Sequence, residues 1–216
     1  MINESGDTPL LGENRTRPDT LQAHSAPQAV AMTDPSPLTA SDILTFWFSP
    51  DVKPKWFTGG ESFDAELRQR FGAVLEQARR GAFAHWADSP DGALALVIVL
   101  DQFPRNIHRG TPEAFAADPV ALAAAKQAIA QGYGGGLAPD GQAFLYMPFQ
   151  HSEVLADQDQ GVALFEALGV DEYTDFMRRH RDIIARFGRF PHRNAILGRS
   201  STSEETEFLQ QPGSSF

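Results

Sequence analysis

Residues 89–103, SPDGALALVIVLDQF, decide the fold class of this chain. The β-branched run VIVL would also suit a buried strand. However, Ser89 followed by Pro90 is typical of a helix N-cap with proline at the first helical position. The length of the apolar run after this start favours a helix that is buried on all sides. The sequence therefore predicts that its most apolar segment is a central helix.

Helix start and stop signals recur before this segment. A first helix is expected to begin at Thr39 or Ser41, and a second is predicted over about 62–80, with Gly81 after its end. The second helix has one apolar face, formed by Phe63, Leu67, Phe71, Val74, Leu75 and Ala78.

The same signals continue to the end of the chain. Helices are predicted over about 118–131, 139–156, 157–168 and 171–187, and Thr202 with Glu205 forms a capping box for a short last helix. No alternating strand pattern of any length is present. We therefore predict an all-α fold of seven to nine helices in a single domain.

The domain limits follow from composition. Residues 1–37 contain five Pro and no aromatic residue, so they are predicted to form a disordered tail. The all-α domain is expected over 38–210, and 211–216 is expected to be a short flexible C-terminus. Translation could begin at Met1 or at Met32, and the sequence leaves both starts open.

Composition and charge exclude several classes of site. The chain has no Cys, which excludes disulfides and thiolate metal sites and fits a reducing compartment, so we expect a cytoplasmic protein. Its longest apolar run, 93–100, is far shorter than the ~20 residues of a membrane helix. A net charge of −10 disfavours nucleic-acid binding. No metal or cofactor motif is present, and we expect neither.

Two polar motifs share a pattern. Residues 186–199, RFGRFPHRNAILGR, and 101–109, DQFPRNIHR, both carry Phe-Pro followed by Arg-Asn. Residues 178–199 hold seven Arg against the single acid Asp182. These Arg either pair with the acids of the chain or clamp an anionic ligand, since guanidinium suits both partners. We expect the two motifs to meet in space.

Asp101 is the first candidate for chemistry. It falls on the apolar stripe of the central helix and, because Pro104 disfavours a helical conformation at Phe103, in the predicted last turn. A carboxylate there needs a cation, such as Arg105 or an Arg of 186–199. It is either a buried ion pair or an orienting or basic carboxylate.

The histidines are the second group of candidates. His180 and His151 both fall on inward stripes of their predicted helices, and each is either a satisfied core residue or a catalyst. The candidate catalytic residues are Asp101, His151, His180 and His192. The candidate ligand-binding residues are Arg105, Asn106, Glu153, Arg189, Arg193 and Asn194.

These motifs resemble those of a mainly bacterial family catalogued as domain of unknown function 924. The matching stretches are FWF at 46–48, LDQFPRN at 100–106, PFQHSE at 148–153 and residues 186–199. The resemblance spans about 39–209 and implies an α-helical, tetratricopeptide-like array or bundle. It implies no activity or cofactor, and no tetratricopeptide repeat consensus is present.

Two functions remain open. In the first, an Arg/His/Asn/Asp pocket between helices binds or processes a small anionic metabolite, with His as general base, Asp101 orienting it and Arg holding the anion. In the second, the chain is a tetratricopeptide-like structural or protein-interaction module, and the polar cluster is a packing network. Whether the protein is an enzyme, and which protein partners it has, is left open by the sequence.

Overall fold

The computed structural model describes residues 38–215, and every regular element in that part is helical. The helices are α1 (Ala40–Trp47), α2 (Glu61–Arg79), α3 (Pro90–Val97), α4 (Phe103–Ile107), α5 (Asp118–Ala130), α6 (Pro139–His151), α7 (Leu155–Leu168), α8 (Asp171–Phe187) and α9 (Ser203–Phe208). A π-helical turn, Ile98–Gln102, joins α3 to α4 without a break. The predicted all-α class with seven to nine helices is confirmed.

Three helices, α1, α3 and α9, begin at a short-range side-chain cap. Thr39 and Asp42 form a capping box ahead of α1, and Thr202 with Glu205 forms another ahead of α9. The hydroxyl of Ser89 accepts a hydrogen bond from the backbone N–H of Gly92 at 3.2 Å, and α3 begins after this cap. These interactions satisfy backbone donors that have no partner within the helix.

The central position of α3 agrees with the sequence prediction. All residues of 93–100 are buried, and α3 packs against α1, α5 and α6. The predicted apolar face of α2 is buried in full. Aromatic rings pack between α1, α2 and α4. The ring centroid of Phe103 lies 5.6 Å from that of Trp47 and 5.0 Å from that of Phe71.

Pro104 does not end the central helix, which corrects the prediction from sequence. Phe103 has the helical dihedrals φ −60° and ψ −41°, and the chain stays helical to Ile107. The π turn explains this, because its i→i+5 bonds widen the backbone where the proline ring would otherwise meet a carbonyl of the preceding turn. Asp101 therefore lies in a π turn in the middle of a long helix, rather than in a last turn.

The helix predicted over 139–156 is also corrected. α6 ends at His151, and α7 begins at Leu155. Gln158 donates from Nε2 to the carbonyls of Gln150 and Ser152, at 2.8 and 2.7 Å, and so satisfies groups at the end of α6. The hydroxyl of Ser152 donates to Asp157 at 2.8 Å and stabilises the break. His151 is consequently the last residue of its helix.

The predicted tail over 1–37 lies outside the described residues, and the limits of the domain remain predictions. Near the C-terminus, Ser214 is buried, and its hydroxyl donates to the carbonyl of Leu209 at 3.2 Å. Within 38–215, no helix has the length and apolar character needed to cross a membrane.

Candidate functional site

A cavity of about 600 Å³ lies between the 56–59 loop, α4, α6, α8 and the turn Pro191–Arg193. Much of its polar lining comes from Gln102, Arg105, Asn106, Gln150, His151, His180, His192 and Arg193. Most of the side chains that the sequence singled out therefore meet in one place. The two Phe-Pro motifs do approach each other, as expected.

The carboxylate of Asp101 lies directly behind this lining and is fully buried. His151 Nδ1 lies 2.8 Å from Asp101 Oδ1, and Gln102 Nε2 donates to Oδ2 at 2.7 Å. Arg105 Nη1 lies 3.4 Å from Oδ1. Burial raises the pKa of Asp101, but Arg105 and His151 together outweigh it and hold the pKa at about 2. Asp101 is therefore ionised at neutral pH.

The ionised partner determines the tautomer of His151. A carboxylate only accepts hydrogen bonds, so the ring proton is on Nδ1 and the lone pair is on Nε2. Burial and the charge of Arg105 lower the pKa of His151 more than Asp101 raises it. Among residues 38–215, Nε2 has no hydrogen-bond partner, and the side chain is 13% exposed at the cavity wall. The site thus contains a neutral imidazole with an available basic nitrogen.

Two guanidinium groups share one carboxylate beside this pair. Arg105 binds Asp118 in bidentate fashion at 2.8 and 3.1 Å, and Arg193 Nη1 reaches the same group at 3.3 Å. Arg193 is only 6% exposed and lies 4.5 Å from the Phe115 ring and 4.6 Å from the Phe190 ring. Its Nε has no partner within the described residues. Burial and Arg105 lower the pKa of Arg193 to about 10.

Asp101, Arg105, Asp118, His151 and Arg193 are called the cavity cluster below. They are held by the π turn, α4, the first residue of α5, the last residue of α6 and the turn at 191–193. Asp118 is favourably placed at a helix N-terminus, where the helix dipole stabilises negative charge.

Of the other two imidazoles, that of His180 is buried and that of His192 is half-buried, and both are neutral. His180 Nδ1 lies 2.8 Å from the carbonyl of Phe176, its Nε2 lies 3.4 Å from Gln150 Nε2, and its ring is 6.3 Å from that of His151. Burial lowers the pKa of His180 to about 3 and that of His192 to about 4. The prediction that His151 and His180 lie on the inward faces of their helices is confirmed.

Glu153, Arg189 and Asn194 do not line the cavity. With Arg199 and Glu205 they form what we call the loop network, which holds the segment that carries His192 and Arg193. Glu153 binds Arg199 at 2.7 and 2.9 Å, and Glu205 binds Arg189 at 2.6 and 2.8 Å. Asn194 donates to Glu205 at 3.3 Å and accepts from Arg199 at 3.0 Å.

The sequence analysis does not identify Asp118, Gln102 or Gln150 as site residues. Asp118 was interpreted only as a helix start, although it is the shared partner of two Arg. Gln102 and Gln150, next to Asp101 and His151 in the chain, were not singled out. The signal that could have found them is their position inside the two polar motifs. No set of three or more His, Asp or Glu within 38–215 is arranged to hold a metal ion.

Comparison with known proteins identifies the family. Residues 43–213 match the model of a family described as bacterial protein of unknown function, DUF924. The chain belongs to this family. It is similar to a solved structure of a protein of unknown function from Agrobacterium tumefaciens, with 41% identity and a TM-score of 0.75 over 79% of this chain and 96% of that one. No curated protein matches the sequence. The tetratricopeptide-like placement remains a prediction.

Proposed function

We propose that the cavity binds a small organic anion and that Arg193 is the group that receives it. The observation that carries the proposal is the incomplete compensation of this guanidinium. It is almost fully buried, its Nε has no partner among the described residues, and its only carboxylate is held more closely by Arg105. A buried charge with so little compensation is costly. An anion on Arg193 would supply the missing partner.

His151 would then act on the bound ligand as a general base. Nε2 can take a proton from the ligand or from a water molecule, and the ionised Asp101 orients the ring and stabilises the imidazolium that forms. Because the imidazole is neutral, the base is ready at pH 7. The chemistry supported is proton abstraction or hydrolysis, which these residues can carry without a cofactor. The roles of His180 and His192 would be to shape the neutral wall around this base.

The test is a thermal-shift screen of carboxylates and phosphates on the wild type and on Arg193→Met. Methionine keeps the contact with the two phenyl rings and removes the charge. We expect ligand-induced stabilisation in the wild type, about 2.7 kcal/mol at a hundredfold excess over Kd, and none in Arg193→Met.

Arg186→Met is the matched control. Arg186 belongs to the same motif, but it is exposed, pairs with Glu204 and does not line the cavity. The control should respond to ligands as the wild type does. A wild type that no anion stabilises, together with a strongly destabilised Arg193→Met, would reject the proposal.

The second candidate is a structural or protein-interaction module in which all polar groups serve packing. The loop network favours it, since Glu153, Arg189 and Asn194 are each engaged by other side chains of the same chain. For these three residues we now propose a structural role in place of ligand binding. The two candidates differ at Arg193, where a packing role predicts a loss of about 3–5 kcal/mol in the unfolding free energy on removal of the charge.

A further inference from the structure

The part of the cavity wall outside the Arg and His side chains is rich in apolar and aromatic groups. It includes Trp56, Phe57, Met147, Phe165, Tyr173 and Phe176. Phe57, from the loop after α1, is 68% exposed, and Phe176, from α8, is 44% exposed. Two distant parts of the chain thus bring exposed phenyl rings to one cavity. Exposed aromatic surface at a concave site indicates contact with the apolar part of a ligand.

The charges of the wall provide for one anionic group. Three Arg line the cavity within the described residues, and two of them are satisfied by bidentate pairs: Arg105 with Asp118, and Arg109 with Asp64 at 2.7 and 3.0 Å. Of these three described Arg, only Arg193 is left with an incomplete pair. Glu172 also lines the wall and would repel a second negative group. A diphosphate or a dicarboxylate is therefore a poor match.

The side-chain amides of the wall already have hydrogen-bond partners. Gln102 Nε2 donates to Asp101, and Asn106 Nδ2 donates to the carbonyl of Gln102 at 3.1 Å while its Oδ1 accepts from Arg109 at 3.0 Å. Gln150 lies against His180. A ligand with many hydroxyl groups, such as a sugar phosphate or nucleotide, would lose hydrogen bonds to water without finding enough replacements here.

We infer that the ligand is an organic monocarboxylate with an apolar body. Its carboxylate binds Arg193, and its hydrocarbon part lies against Phe57 and Phe176. The inference rests on the proposed anion site and adds the chemical class of the ligand. A cavity of about 600 Å³ has the volume of a typical small-molecule site, which is roughly 300–1,000 Å³.

The experiment measures Kd by calorimetric titration for acetate, butanoate, hexanoate and octanoate, with 3-phenylpropanoate as an aromatic acid and inorganic phosphate as an anion without an apolar body. The Kd of an acid that binds too weakly for direct titration is measured by competition with octanoate. Full burial of each methylene lowers Kd about fourfold. We expect Kd to fall by roughly a hundredfold or more from acetate to octanoate, and phosphate to bind more weakly than hexanoate.

Three variants locate the two ends of the ligand. Arg193→Met should raise the Kd of every acid at least tenfold. Phe57→Ala and Phe176→Ala should each raise the Kd of octanoate at least fivefold and leave the Kd of acetate unchanged. Val120→Ala is the control, because Val120 is a 46% exposed apolar residue of α5 that does not line the cavity. It should leave every Kd unchanged.

The outcomes separate this inference from the proposed function. If binding depends on Arg193 but not on the length of the ligand's hydrocarbon chain, the ligand has no apolar body bound here, and the proposed anion site is still supported. A dependence on chain length that survives both phenylalanine substitutions overturns the assignment to this wall. If neither the carboxylic acids nor inorganic phosphate bind at all, the anion site itself is wrong and the inference falls with it.

Discussion

The cavity cluster and the loop network draw on the same motif and differ in how their charges are matched. In the loop network each Arg has its own carboxylate: Arg199 binds Glu153, and Arg189 binds Glu205. In the cavity cluster Arg105 and Arg193 share Asp118. A dense group of Arg residues therefore does not by itself indicate a ligand site. The number of carboxylates available to each guanidinium separates a structural Arg from one that can receive an anion.

Removing an acid of the loop network should give the largest effect. Glu205 is 2% exposed and accepts from Arg189, Asn194 and the backbone N–H of Thr202. Glu205→Ala strands all three donors, so we expect the free energy of unfolding in urea to fall by about 3 kcal/mol. Glu204→Ala is the control, because Glu204 is exposed. Equal stability of the two variants would mean that the loop network does not hold the fold.

The pH dependence of stability should be the next largest effect. Burial lowers the pKa of His180 to about 3 from an ordinary value of 6.5. Between these values the unfolded chain binds more protons than the folded one, so stability is full above pH 6.5 and falls as the pH drops toward 3. His180 alone contributes a slope of up to about 1.4 kcal/mol per pH unit.

Urea unfolding at pH 7, 6 and 5 measures this slope. His180→Gln should reduce it, and His85→Gln, at an exposed position, should not. His192, whose pKa is lowered to about 4, contributes in the same direction. A wild-type slope retained in His180→Gln would show that His180 is not held neutral in the folded state.

The smallest change in stability is expected for Arg193→Met, because Arg193 shares the carboxylate of Asp118 with Arg105. Arg193→Met removes a buried charge, and Asp118 keeps its bidentate pair with Arg105. We expect the ligand-free protein to gain up to about 1 kcal/mol or to stay unchanged. Arg199→Met, by contrast, should lower the unfolding free energy, because Glu153 loses its bidentate partner. If both variants lose a similar amount of unfolding free energy, the cavity cluster and the loop network do not differ in how their charges are matched.

The helices and the inward histidines were predictable because their signals are local. The caps at Thr39, Ser89 and Thr202 act over three residues, and the apolar face of α2 repeats with the helical period. His180 was placed inward by the same period. The break at Ser152 was missed because it depends on Gln158, whose side chain turns back to the end of α6.

By itself, the sequence determined the all-α class, the central helix and the two polar motifs that meet. It could not determine which Arg is satisfied and which is not. Arg193 and Asp118 are 75 positions apart, and Asp101 and His151 are 50 apart. Only the tertiary structure brings such groups within hydrogen-bonding distance and buries them together. Charge compensation depends on those distances and on burial, so the difference between a structural pair and a candidate ligand site was decided by the fold.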